Sequence, residues 1–231
     1  MTRVCVFDDA EAVARHASDA LALAIGEARE RGHDIHIALA GGGTPQRAYE
    51  LLAQVEGSWM HVHLWLSDER CVPDGHSQSN AQMVRESLLS TEREGPPWLH
   101  ALHRPEQPDD AAWLYAQEIC ELVPDRVFDI VLLGMGPDGH TASLFPGHPA
   151  LDVIDAPCVA VRESPKPPPE RVTFSLPLLR AARFTLLLVT GAEKAEALAG
   201  VRAGDPSLPT ALLGDGLDEI ACDGAAAGEA S

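Results

Sequence analysis

The segment that most constrains this chain is "FDIVLLGMGPDGH", residues 128 to 140, which is apolar without alternation and ends at glycines. A strand of that kind has to be covered on both faces, and such strands belong to parallel sheets packed between helices. Residues 3–7 (RVCVF) read as a strand. Residues 10–31 read as a helix, with Val13, Ala17, Leu21, Ala24 and Ala28 at helical spacing and Gly32 as its stop. Ile35, Ile37 and Leu39 form a second strand, followed by three glycines and by Thr44-Pro45, an N-cap with proline at the first helical position. "HVHLWLSDERCVP" is a strand entering a polar loop, with the helix "SNAQMVRESLL" behind it capped by Ser79. "DDAAWLYAQEICELV" is another helix, and "RFTLLLVTGAEKAEALAGV" repeats strand, Gly191 turn and helix. This alternation predicts one α/β domain over residues 1–222, three-layered, with a mostly parallel β-sheet flanked by helices. "SPKPPPER", residues 164–171, reads as a loop inside that domain, "VTFSL" as a short strand, and residues 223–231 as a mobile tail.

Composition narrows what such a domain can serve. With 35 acidic against 17 basic residues the formal charge is −18, which repels nucleic acid and anionic membrane surfaces over most of the protein. No apolar run approaches the roughly 20 residues of a membrane span, and the N-terminal residues form an acidic helical pattern rather than a signal peptide, so a cytoplasmic location is expected. Cys5, Cys71, Cys120, Cys158 and Cys222 are odd in number and lack a C-x-x-C pair, so they read as free thiols, and no metal site is expected. An anionic small molecule can still bind where the few cations converge.

Gly134, Gly136 and Gly139 have the G-x-G-x-x-G spacing of a dinucleotide turn, and Asp155 lies near the position of a ribose-binding acid. The context opposes that reading. Pro146, Gly147 and Pro149 interrupt the helix that should come next, and Asp138 puts a carboxylate where two phosphates would sit. The glycines instead allow a sharp turn at the carboxyl end of a buried strand, where ligands bind in open parallel sheets, and present His140 as a proton acceptor. His61 and His63, on alternate positions of a strand, read as structural.

Other strand ends carry polar groups. "GGGTP" offers backbone N–H groups of Gly42 and Gly43 and the Thr44 hydroxyl at a helix start, a favourable anion site. "SDER" brings Asp68, suited to orienting a base or binding sugar hydroxyls, and Arg70, suited to a bidentate phosphate contact. Lys194 stands in the first turn of a helix, where the dipole disfavours a cation unless an anion is bound, and Arg171 closes the proline loop.

Together, "GGGTP", "SDERCVPDGHSQSN", "FDIVLLGMGPDGHTASLFPG", "PPPERVTFSLPLL" and "GAEKAEAL" resemble, in order and spacing, the 6-phosphogluconolactonases, whose Rossmann-like fold is shared with glucosamine-6-phosphate deaminases and ribose-5-phosphate isomerases. The resemblance implies that His140 is the catalytic base, that Asp68 and Arg70 belong to the site, and that Gly42, Gly43, Thr44, Arg171 and Lys194 face a sugar phosphate. Gly43 stands where lactonases often have serine. It implies no cofactor, and hydrolysis of 6-phospho-D-glucono-1,5-lactone by a water that His140 deprotonates, with a glycine-turn amide stabilising the oxyanion. The alternatives are a glucosamine-6-phosphate isomerase or deaminase, and a non-enzymatic sugar-phosphate sensor. The deaminases continue after Asp-Gly-His into an Asn-Glu-Pro segment; here the continuation is "TASLFPG", and no basic DNA-binding segment accompanies the domain.

Overall fold

The computed structural model describes residues 2–55, 57–90, 95–103 and 105–229. Its centre is a seven-stranded sheet formed by β1 (Arg3–Phe7), β2 (Ile35–Leu39), β3 (Val62–Leu66), β5 (Trp98–Leu99), β6 (Ile130–Gly134), β9 (Thr185–Val189) and β10 (Glu219–Asp223), in the order β1-β10-β9-β6-β2-β3-β5. Every pairing in it is parallel. Alternate side chains therefore point to opposite faces. Ile37, Leu39, Leu64, Leu132 and Leu186 pack under α1 (Ala10–Arg31), α2 (Gly43–Leu52) and α3 (Asn80–Ser87). Ala38, Trp65, Val131, Leu133 and Leu187 pack under α4 (Pro108–Leu122), α5 (Leu176–Arg180) and α6 (Ala195–Ala203). The expected three-layer α/β fold is the observed one, and none of the described helices is long and apolar enough to cross a membrane.

Local chemistry sets several boundaries. The αL conformation of Gly32 (φ 65°) ends α1, and the Ser79 hydroxyl accepts from the Gln82 N–H to start α3. The expected N-cap at Thr44 is displaced: Gly42 (φ 105°) is the cap, α2 begins at Gly43, and the Thr44 hydroxyl bonds Thr190 instead, 2.8 Å away. Lys194 stands at the start of a helical run, as expected, but in its 3-10 part rather than in the α-helix itself. It closes a three-residue 3-10 turn after Gly191 (φ 96°) and caps α6. The supposed start of the tail is ordered too: Asp223 ends β10 and caps α7 (Gly224–Ala227), in which Ala226 is buried.

A second sheet replaces the polar loop expected after β3. β4 (Asp68–Arg70), β8 (Arg171–Phe174) and β7 (Cys158–Val161) form an antiparallel sheet in the order β4-β8-β7. The polar "DER" run becomes a strand because the Glu69 carboxylate is satisfied inside the protein. It accepts from the N–H groups of Asn80 and Ala81, each at 2.7 Å, and from the Ser79 hydroxyl at 2.9 Å. All five cysteines are unpaired. His63 stacks on His36 and Trp98 with ring centroids 4.6 and 4.7 Å apart, the structural role read for it; His61 precedes β3 and bonds Asp34.

Candidate active site

The chains leaving β2, β3, β6 and β9 all turn at the carboxyl edge of the sheet, and the second sheet closes over them from one side. Between them lies a cleft of about 270 Å³ lined by Gly42, Gly43, Thr44, Asp68, Arg70, His140, Arg171 and Lys194, so every site residue read from the sequence meets there. A larger open groove, of about 1080 Å³, passes the opposite end of the sheet at His33–His36, Asp129 and Ile130. It contains none of these residues, and convergent chemistry rather than volume identifies the site.

His140 owes its position to the two glycines before it. Gly139 adopts φ 75°, and the reversal folds the imidazole back over Gly136, where a Cβ would come within 2.1 Å of the ring. There Nδ1 lies 2.5 Å from Asp138 Oδ1. An ionised carboxylate can only accept, so Nδ1 carries the proton and Nε2 keeps its lone pair. Nε2 has no hydrogen-bond partner among the described residues. Phe145 packs against the ring with centroids 4.7 Å apart, and burial pulls the His140 pKa below its ordinary value against the opposing charge of Asp138. At Asp138 burial works upward, yet the hydrogen bonds and charges of His140 and Lys166 prevail and hold the carboxyl below its usual value.

Asp68, a candidate for orienting the base, makes other contacts. Its Oδ2 accepts from the Ser143 hydroxyl at 2.6 Å, and Asn80 Nδ2 donates to its backbone carbonyl at 2.8 Å and to Oδ1 at 3.3 Å. The carboxylate that orients His140 is Asp138, which was read from the sequence only as an obstacle to phosphate. Ser143 reaches Asp68 because Ala142 takes a left-handed φ of 47°, a conformation costly for alanine and frequent at functional sites.

The cations differ in how free they are. Arg70 Nη1 donates to the Gln78 carbonyl at 2.7 Å, while its buried Nε has no partner among the described residues. A buried orphan donor on a guanidinium beside a cleft fits an anion. The Lys194 ammonium makes no hydrogen bond or ion pair among the described residues, and it lines the same cleft. Arg171 is mostly committed. Nε donates to the Pro168 carbonyl, Nη2 to those of Lys166 and Pro167, and Nη1 to the Ser143 hydroxyl, leaving one of its five N–H groups. The Gly42 turn presents the first amides of α2, which have no acceptor within the helix.

Asp138, Ser143, Asn80 and Lys166 hold residues that line the candidate site, and the sequence does not point to them in that role. The Asp-Gly-His spacing could have given Asp138, because a left-handed glycine between two side chains brings them together. Nothing local gives Lys166, which arrives from 28 residues away.

The family model described as glucosamine-6-phosphate isomerases/6-phosphogluconolactonase matches residues 8–221. The 6-phosphogluconolactonase of Streptomyces coelicolor is 35% identical over 220 residues, covering 87% of this chain and 83% of that protein. The human GDH/6PGL endoplasmic bifunctional protein is 40% identical over 195 residues, 80% of this chain but 24% of that much longer protein. Among solved structures, the 6-phosphogluconolactonase of Thermotoga maritima superimposes with a TM-score of 0.85 at 29% identity over 96% of this chain and 100% of that one. A monomeric glucosamine-6-phosphate deaminase shares the fold, with a TM-score of 0.80 at 21% identity.

Proposed function

Because the chain belongs to the glucosamine-6-phosphate isomerase/6-phosphogluconolactonase family, we infer that it hydrolyses 6-phospho-D-glucono-1,5-lactone to 6-phosphogluconate, the second step of the oxidative pentose phosphate pathway. The observation that carries the reading is the Asp138–His140 pair, which fixes the tautomer whose Nε2 can accept a proton from water. His140 removes that proton as the water oxygen bonds to the lactone carbonyl carbon. The tetrahedral oxyanion then collapses, the bond from that carbon to the ring oxygen breaks, and the proton on Nε2 passes to the departing oxygen. The product acid ionises in solution. Asp138 holds the ring in place and fixes its tautomer, as a carboxylate does behind a catalytic histidine.

The phosphate of the substrate is assigned to Arg70, Lys194 and the Gly42–Thr44 turn. The Arg70 guanidinium and the Lys194 ammonium line the cleft, and the α2 amides add the positive end of a helix dipole. Arg171 contributes buried positive charge and one N–H. Asp68, held by Ser143 and Asn80, presents a carboxylate to the sugar hydroxyls. The segment directly after His140 favours the lactonase branch over the deaminase branch. Thr141 donates its hydroxyl to the Gly134 carbonyl and Ser143 to Asp68, so this segment supplies no second carboxylate for proton shuttling. The direct test incubates the protein with freshly generated lactone, corrected for spontaneous opening, and separately with glucosamine 6-phosphate. Rapid acid release from the lactone with no ammonia from the amino sugar is expected; ammonia release without lactone hydrolysis would reverse the assignment.

A further inference from the structure

Lys166 takes no part in these proton transfers, yet its ammonium lies 3.1 Å from Asp138 Oδ1 and 3.1 Å from His140 Nδ1. The chain contains two lysines against fifteen arginines; the other lysine, Lys194, lines the same cleft. Lys166 is also held with care. Its carbonyl accepts from the Ser164 hydroxyl at 2.9 Å and from Arg171 Nη2 at 3.0 Å, and Arg171 takes the next two carbonyls of the proline loop as well. Arg171 is itself buried and stacked 5.6 Å over Phe145, which also packs against the His140 ring. The proline-dense loop is thereby clamped so that one ammonium reaches the Asp138–His140 pair.

An ammonium has no acceptor, and Nδ1 already gives its proton to Asp138, so Lys166 donates to the carboxylate and meets the imidazole only as a charge. That separates two effects of Asp138 which normally come together. A carboxylate behind a histidine orients the ring, and it also stabilises the protonated ring, which removes the free base at neutral pH. We propose that Lys166 is a positioning residue for the hydrolysis, cancelling the charge of Asp138 while leaving its hydrogen bond to His140 intact, so that the imidazole stays neutral and ready to accept a proton. The proposal rests on the reading of His140 as the base. Besides Asp138 and Lys166, Asp68 on β4 acts on the ring; its carboxylate accepts from Ser143 and is faced by Arg171 Nη1 at 3.9 Å. Burial and Lys166 push the His140 pKa down, while Asp138 and Asp68 push it up. Removing Lys166 leaves burial to oppose two carboxylates.

The test compares wild type, Lys166→Met and Lys166→Arg in the pH dependence of kcat/KM for the lactone. In Lys166→Met the acid limb should move upward by about one pH unit, as expected for loss of a charge at this range, with KM within about threefold of wild type. Lys166→Arg should return the limb toward its original position. The His140 pKa can also be read without turnover, by nitrogen NMR of histidine-labelled protein with the signal assigned through His140→Gln, and it should rise in Lys166→Met. A uniform loss of rate or a raised KM with the limb and the NMR pKa unmoved would overturn the proposal, indicating a structural or phosphate-binding lysine. If His140→Gln turns over as fast as wild type, the base assignment fails, and the NMR shift alone then decides the effect of Lys166 on the ring.

Discussion

At Gly136 the site has no room for even one added carbon. A Cβ would lie 2.1 Å from His140 Cε1, 2.2 Å from Nδ1 and 2.6 Å from Asp138 Oδ1, so Gly136→Ala has to displace both members of the pair. Turnover should fall by about tenfold or more, since small displacements of a base are costly, while thermal stability changes little because both groups can swing toward the cleft. Steady-state kinetics and a melting curve on the same preparation check this. Arg70→Gln removes the guanidinium with the orphan Nε; KM should rise by about tenfold or more with a smaller change in kcat, the signature of a lost uniform binding contact. At this scale the sequence was informative where function depends on position along the chain. His140 is legible because it ends a turn at a buried strand, and Lys194 because a cation near a helix start calls for an anion. Asp138 was misread because the turn looks hostile to phosphate until His140 is seen folded back over Gly136. That Arg171 is mostly occupied is not legible, because the carbonyls that take it belong to a loop with no periodicity.

The element that organises the cleft is the short strand β4, which was expected as a loop. It alternates in function: Asp68 and Arg70 line the cleft, while Glu69 turns the other way and receives the first amides of α3. Glu69 is 4% exposed and accepts four hydrogen bonds, from Arg70 N, Asn80 N, Ala81 N and the Ser79 hydroxyl. In Glu69→Gln one acceptor oxygen is replaced by an NH₂ that faces donors. A loss of about 2–3 kcal/mol in chemical denaturation is expected, the usual cost of unsatisfied buried partners at a charged group. The consequence reaches the site, because α3 begins with Asn80, which holds Asp68. Asn80 also fills the space beside Gly41, where a Cβ would come within 2.3 Å of its side-chain oxygen. Helices α1, α2, α3, α4 and α6 and strands β1, β2, β3, β6 and β9 are legible from periodicity and stop residues, whereas β10, α5 and α7 carry no such signal. Nor does β4, since three polar residues become a strand only through partners 10 to 12 and about 100 residues away.

Across the whole molecule, the arrangement concentrates chemistry at one edge of the sheet and leaves the remainder to packing and repulsion. A chain with a formal charge of −18 gathers Arg70, Arg171, Lys166 and Lys194 at that edge, the convergence of cations on which the proposed phosphate site rests. The parallel sheet arises from alternating units whose signals are local. The strand order, which puts β6 between β9 and β2 at the centre, and the small antiparallel sheet are set by pairings distant in sequence and are not written in any one segment. On the proposed reading, hydrolysis at this edge runs through one imidazole, that of His140. The most direct measurement is the rate of enzyme-dependent lactone opening by His140→Ala against wild type near neutral pH, with the affinity for 6-phosphogluconate measured alongside. A fall in kcat of about 10² to 10⁴ is expected, the usual contribution of a general base, with product affinity nearly unchanged. Near wild-type turnover in His140→Ala would contradict a role for His140 as the base.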